Sequence, residues 1–208
     1  METVHWIFLI SFGICIFICL YFFVRAVILT MPDEYAKARG KVFPALVYSF
    51  TNAMKPTRKE SAYLHLPTYL GGLVYHLGTF LSFILLFLFF FGLYPSLPWS
   101  AIFASALGIS LLAGVSILVK RIIKRELRQL SNADDYISNA LVTLLHGMVA
   151  VTLLRNSLAP ALLIYASVLM LYIPVGKLKH SVYFFSSRIY LALFYGRRGV
   201  WPVKESKP

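Results

Sequence analysis

Two histidines are the residues of this chain best placed for chemistry: His76 in LVYHLGTF and His180 in IPVGKLKH. Each lies in a long apolar segment, where an ionisable side chain is expensive and marks a functional site by default. Two imidazoles at matching depth, on segments that run in opposite directions, predict a shared ligand. A neutral imidazole from each side completes the axial coordination of a haem b iron, and the apolar macrocycle suits the interior of a helix bundle. Gly71, Gly72 and Gly78 lie within about two turns of His76, which removes bulk where a flat ring approaches the backbone. Lys177, Lys179 and Arg188 are the candidate cations for the haem propionates, and one haem is expected.

The elements that must carry these residues are membrane spans. Of the 208 residues 59% are hydrophobic and only 13% charged, with a mean hydropathy of +0.75. A soluble domain of this size has no interior large enough to hide that much apolar surface. Five runs match a hydrocarbon core of about 30 Å at about 1.5 Å per residue: 6–24, 67–93, 99–118, 136–154 and 158–185. His76 then falls about nine residues, or roughly 13 Å, past the inner end of the second span. His180 lies near the inner end of the fifth, so both belong to the inner half of the bilayer.

Charge placement orients the bundle. Of the 20 Lys and Arg residues, 7 lie between Arg25 and Lys59, 5 between Lys120 and Arg128, and 7 from Lys177 to Lys207. Arg155 alone falls on the other side. The positive-inside rule puts the loops 25–66 and 119–135 and the tail 186–208 in the cytoplasm and the N-terminus outside. The expected fold is therefore an all-α, integral-membrane five-helix bundle in the cell's inner (cytoplasmic) membrane, with short interfacial helices on the cytoplasmic side. The net charge of +12 is chiefly this topology signal, with attraction to anionic headgroups as a second effect. Because the basic residues flank spans, nucleic acid is a poor partner.

Cys15 and Cys19 sit one turn apart in the first span, poorly placed for a disulfide, and read as small apolar filler. An iron–sulfur cluster needs four ligands, so any such cluster belongs to a partner. Ser131-Asn132-Ala133-Asp134 has the spacing of an acidic capping box at the start of the fourth span, with Asp134 and Asp135 at the positive end of that helix. Prolines 32, 44 and 56 with Gly40 break 30–66 into short surface helices and turns, and SVYFFSSRIYLALFYGRRG after His180 fits an interfacial helix.

YHLGTF in the second span together with IPVGKLKH after the fifth resembles the membrane cytochrome b (gamma) subunit of respiratory nitrate reductase. RQLSNADDYISN and YGRRGVWP bring the chain closer to the related cytochromes of heterodisulfide-reductase-like and dissimilatory sulfite-reductase-linked complexes. The resemblance implies a haem b subunit of a quinone-linked oxidoreductase, exchanging electrons between membrane quinone and a cytoplasmic iron–sulfur partner. That partner would dock on the inner loops and tail. The nitrate reductase subunit carries a second, outer haem, but the corresponding places here hold Leu86 and roughly Leu162, which cannot ligate iron.

The other histidines carry open alternatives. His146 in TLLHGMVA lies close to the depth of His76 and is read as a packing or quinone-contacting residue. Axial ligation is its alternative, in place of His180 or with His65 at a second haem. His65 otherwise reads as a solvated surface residue and His5 as an outer-interface residue. The competing function is a cofactor-free membrane anchor or small transporter in which the histidines pack or relay protons. A transporter of this type would usually show broken spans or paired acids near mid-membrane, and the spans here contain no acid.

Overall fold

The computed structural model, described for residues 3–29, 35, 37–58 and 64–203, is helical, with no strand among those residues. In hydrocarbon a segment must satisfy its own backbone N–H and C=O groups, which drives long apolar runs into helix. In chain order the helices are α1 (Thr3–Ile28), α2 (Val42–Phe50), α3 (Leu66–Phe90), α4 (Leu97–Ile123), α5 (Arg125–Gln129), α6 (Ala133–Leu154), α7 (Ala159–Tyr172) and α8 (His180–Arg197). Four of them, α1, α3, α4 and α6, are long and apolar enough to cross a membrane, and α7 with α8 makes a fifth if the pair is one broken span. The chain is thus an all-helical, multi-pass membrane protein. Parts of the expected 25–66 loop (30–34, 36 and 59–63) and the tail end 204–208 lie outside the described residues.

The expected continuous fifth span differs from what is observed. Its helix stops at Tyr172, passes through a turn and a single 3-10 turn at Lys177–Lys179, and restarts at His180. Pro174 explains the stop, because it has no N–H to donate and its ring clashes with the preceding turn. The freed N–H groups of Val175 and Gly176 both reach back to the Tyr172 carbonyl (3.1 and 2.8 Å). At 14 residues, α7 alone is about 21 Å long, short of the hydrocarbon thickness.

Two compact units make up the chain: Met1–Cys15 with Leu66–Leu178, and Ile16–His65 with Lys179–Pro208. In the first, Leu85 and Leu86 of α3, Leu107 of α4, Leu145 and Val149 of α6 and Leu162 of α7 are wholly buried. Leu86 and Leu162, which cannot ligate iron, are thus core residues. Small residues let the helices close up. A Cβ on Gly78 of α3 would sit 2.0 Å from Ser110 Oγ of α4, and one on Gly114 of α4 would sit 2.4 Å from Thr143 Oγ1 of α6. Such contacts matter in lipid, where apolar side chains gain little by exchanging lipid tails for one another. The α3–α4 turn closes on Gly92 at φ 72, with Leu93 N–H reaching the Leu88 carbonyl and Gly92 N–H the Phe89 carbonyl. This is a Schellman cap, which needs the left-handed conformation that glycine adopts freely.

In the second unit α2 lies against α8. Ala45 meets Gly196, Ser49 Oγ donates to the Arg188 carbonyl at 3.0 Å, and Trp201 packs its ring on Tyr48 and Tyr195.

The close α3–α4 approach makes a contrasting pair of substitutions informative. Gly78→Val should destabilise the protein by about 1–3 kcal/mol through overpacking, whereas Gly108→Val, which has nothing within 4 Å of an added Cβ, should not. Thermal unfolding of both variants in detergent checks this. Equal melting temperatures would contradict the close contact.

Candidate functional site

His76 follows Tyr75 on α3, one step off the face that packs inward. That inward face carries Tyr75, Gly78, Ser82, Leu85, Leu86 and Phe89. One helical step is about 100°, so with Tyr75 turned inward the His76 ring is turned out. Its side chain is exposed among Leu73, Leu77 and Phe80, themselves 45%, 59% and 58% exposed. The direction is set by bonds from the inward face. Tyr75 donates its hydroxyl to the Asn139 carbonyl of α6 (3.0 Å) and lies 3.2 Å from Thr143 Oγ1. One turn on, Thr79 Oγ1 lies 3.1 Å from His146 Nε2. These contacts resist rotation of α3 about its axis.

His180 is the first residue of α8, in the second unit, and is exposed. The break after Tyr172 therefore moves it out of a continuous spanning helix and places it at a helix start. Neither histidine is drawn into an apolar core.

His146 contrasts with both. Its side chain is fully buried at 0% exposure. Ser110 Oγ of α4 lies 3.1 Å from Nδ1, Thr79 Oγ1 of α3 lies 3.1 Å from Nε2, and the Tyr75 ring meets the imidazole at 5.1 Å between centroids. Thr79 also donates to the Tyr75 carbonyl at 2.9 Å, which uses its only proton. The neutral tautomer with Nε2–H donating to Thr79 leaves Nδ1 to accept from Ser110, whose Oγ is closer to Nδ1 than to the Val74 and Tyr75 carbonyls at 3.3 and 3.4 Å. Both nitrogens are then engaged by neighbouring helices, and ligation through either one requires breaking a helix-to-helix bond. His65 is exposed in the turn before α3. His5 lies 5.5 Å from the Phe90 ring between centroids, its Nδ1 buried without a hydrogen-bond partner among the described residues.

The propionate candidates are placed differently from one another. Lys177 Nζ pairs with Asp135 Oδ1. Lys179 is half-buried at the cap of α8. Arg188 is half-buried, with its guanidinium 5.6 Å from the Phe184 ring centroid.

The Lys177 contact belongs to a latch that ties the helix break to the start of α6. Asn132, not Ser131, is the N-cap. Its side chain accepts from Asp135 N–H (3.1 Å) and Asp135 Oδ2 accepts from Asn132 N–H (3.1 Å), so the box sits one residue later than the sequence spacing suggests and uses Asp135 rather than Asp134. Ser131 is engaged elsewhere: its Oγ donates to the Leu127 carbonyl and accepts from Arg121. Asp135 Oδ1 also meets Arg121 of α4 at 3.1 Å. Asp134 accepts from the Tyr172 hydroxyl, which also contacts Ser138. Gly176 lies against the Tyr172 ring, leaving no room for a Cβ.

Thr79, Ser110 and Tyr75 were not singled out by the sequence, although a faint signal exists. Tyr75, Thr79 and Ser82 recur at i, i+4 and i+7, a polar stripe on an apolar helix. Of their partners in α4 and α6, only His146 stands out in the sequence; Ser110, Asn139 and Thr143 carry no such mark. Comparison with protein-family models, curated proteins and solved structures finds no match for this chain.

The latch yields a graded expectation. Asp135→Ala removes the capping box and strands two cations, one of them half-exposed, so it should cost roughly 2–3 kcal/mol. Asp135→Asn keeps an acceptor for the cap and should cost less. Melting of the detergent-solubilised variants tests the order, and equal losses would mean that the cap acceptor contributes nothing beyond the ion pairs.

Proposed function

We propose that this protein is a haem b-containing membrane subunit of a quinone-linked oxidoreductase, with His76 and His180 as the axial ligands of one haem. The observation that carries the reading is the position of His76 on the face of an apolar span, where an ionisable side chain marks a functional site by default. His180 is likewise exposed, at the head of α8, while His146 is sealed with both nitrogens engaged by neighbouring helices. The donor set, two neutral imidazoles, fits haem iron.

Bound haem would supply one-electron transfer between membrane quinone and a cytoplasmic iron–sulfur partner. The chain's own part is to hold and orient. Tyr75 and Thr79 fix the rotation of α3 and with it the direction of His76. The helix break at Pro174 sets where His180 starts α8. Lys179 and Arg188 are the propionate cations in this reading, with Lys177 shared with Asp135. His146 is assigned to helix packing, the role its two bonds describe, rather than to quinone contact or iron. The positive-inside bias places the N-terminus outside and the C-terminus in the cytoplasm, in the inner membrane, with the partner docked on the inner loops and tail.

The purified chain should show a dithionite-reduced minus oxidised spectrum with a haem b alpha band, at about one haem per polypeptide. His76→Ala and His180→Ala should each abolish the band, while His146→Asn should retain it in protein that melts at lower temperature. If haem-supplemented wild type shows no band, the reading is wrong and a cofactor-free anchor takes its place.

A further inference from the structure

The second unit contains a basic clasp, within the inner loop and tail, to which the electron-transfer reading gives no part in holding haem or quinone. The backbone N–H groups of Arg39 and Gly40 both donate to the Arg197 carbonyl, at 2.9 and 3.1 Å. Glycine is required on both sides. A Cβ on Gly40 would lie 2.5 Å from Gly199 Cα, and Gly199 itself adopts φ 71 in the cap of α8. Two short runs far apart in sequence, Arg39-Gly40-Lys41 and Arg197-Arg198-Gly199, are thereby joined. All four cations are exposed, with the Arg198 guanidinium lying 3.5 Å over the Phe194 ring and donating through Nη1 to the Phe194 carbonyl at 3.0 Å. The acids of this unit, Asp33, Glu34, Glu60 and Glu205, lie outside the described residues.

Beside the clasp is an apolar surface. α2, VFPALVYSF, has no charged residue and packs Ala45, Tyr48 and Ser49 inward, leaving Phe43 at 74% and Val47 at 48% exposure on its other side. At nine residues, or about 13 Å, it cannot cross a bilayer. Val200, directly after the clasp, is 52% exposed. Cations flanking exposed apolar side chains on a short helix are the pattern of a segment lying in the membrane interface. An acidic soluble protein would match the cations but leave the adjoining Phe43 and Val47 unaccounted for.

We propose that the clasp is an interfacial binding site for anionic phospholipid, with Arg39, Lys41, Arg197 and Arg198 on the headgroup phosphate and Phe43 and Val47 in the acyl boundary. Guanidinium groups bind phosphate oxygens in pairs, and each basic residue near an anionic surface adds to the attraction. The site stands whether or not the chain binds haem.

Trp201, packed on Tyr48 and Tyr195, is a built-in reporter. In full-length protein carrying Trp6→Phe and Trp99→Phe it is the one remaining tryptophan of three. The protein is placed in nanodiscs of mixed phosphatidylglycerol and phosphatidylcholine, with either lipid brominated at equal mole fraction. Quenching of Trp201 should be about two-fold stronger or more from brominated phosphatidylglycerol, since a few charges suffice for that enrichment. Replacing the four cations with Gln should bring the two quenching levels together, while exchanging Arg for Lys and Lys for Arg should keep them apart and show that the clasp still folds. Equal quenching in the unsubstituted clasp overturns the proposal. So does absence of quenching by both lipids, the result expected of a surface that faces an acidic soluble protein.

Discussion

In a bilayer, apolar helices have little reason to prefer each other to lipid, so what holds α3, α4 and α6 together is close approach and shared hydrogen bonds. His146 is the centre of both. It bonds to α4 through Ser110 and to α3 through Thr79, and Gly78 lets the α3 backbone close on Ser110. Individual bonds of this kind average only about 0.6 kcal/mol in membranes. Their larger effect is on specificity, because an unsatisfied imidazole in the core is costly in any other arrangement of the helices.

That constraint fixes the direction of everything else on α3. With Tyr75 and Thr79 committed inward, residue 76 has to face out, and the exposed position of His76 follows from its neighbours' bonds. The histidines differ in the same way: His146 is tied to two neighbouring helices through both ring nitrogens, whereas His76 and His180 are exposed.

The second organising feature is the acid pair at the start of α6. One carboxylate closes the capping box and gathers Arg121 and Lys177, and the other holds the Tyr172 hydroxyl. Together they clamp the point where Pro174 ends α7. A helix break in or near a membrane exposes backbone groups, and it is tolerated where protein covers them. Here Tyr172 does so, receiving two backbone bonds on its carbonyl while its ring covers Gly176.

The spans, their helical state and the basic flanks were legible in the sequence because hydropathy and length act within a single segment. Pro174 and Gly176 were visible too, but their consequence, a break long enough to put His180 at the head of a new helix, outweighed the apolar continuity of 158–185. The capping box was legible to within one residue, since Ser131 and Asn132 are both good caps and only the surroundings choose between them. Ser131 is taken by Arg121, a residue of another helix. Which histidine is sealed, which lysine pairs with Asp135, and how Arg39 comes to meet Arg197 were settled by tertiary structure alone. Local pattern specifies which face of a helix is apolar or polar, but the partner that face meets lies on a segment tens of residues away, and only packing brings the two together.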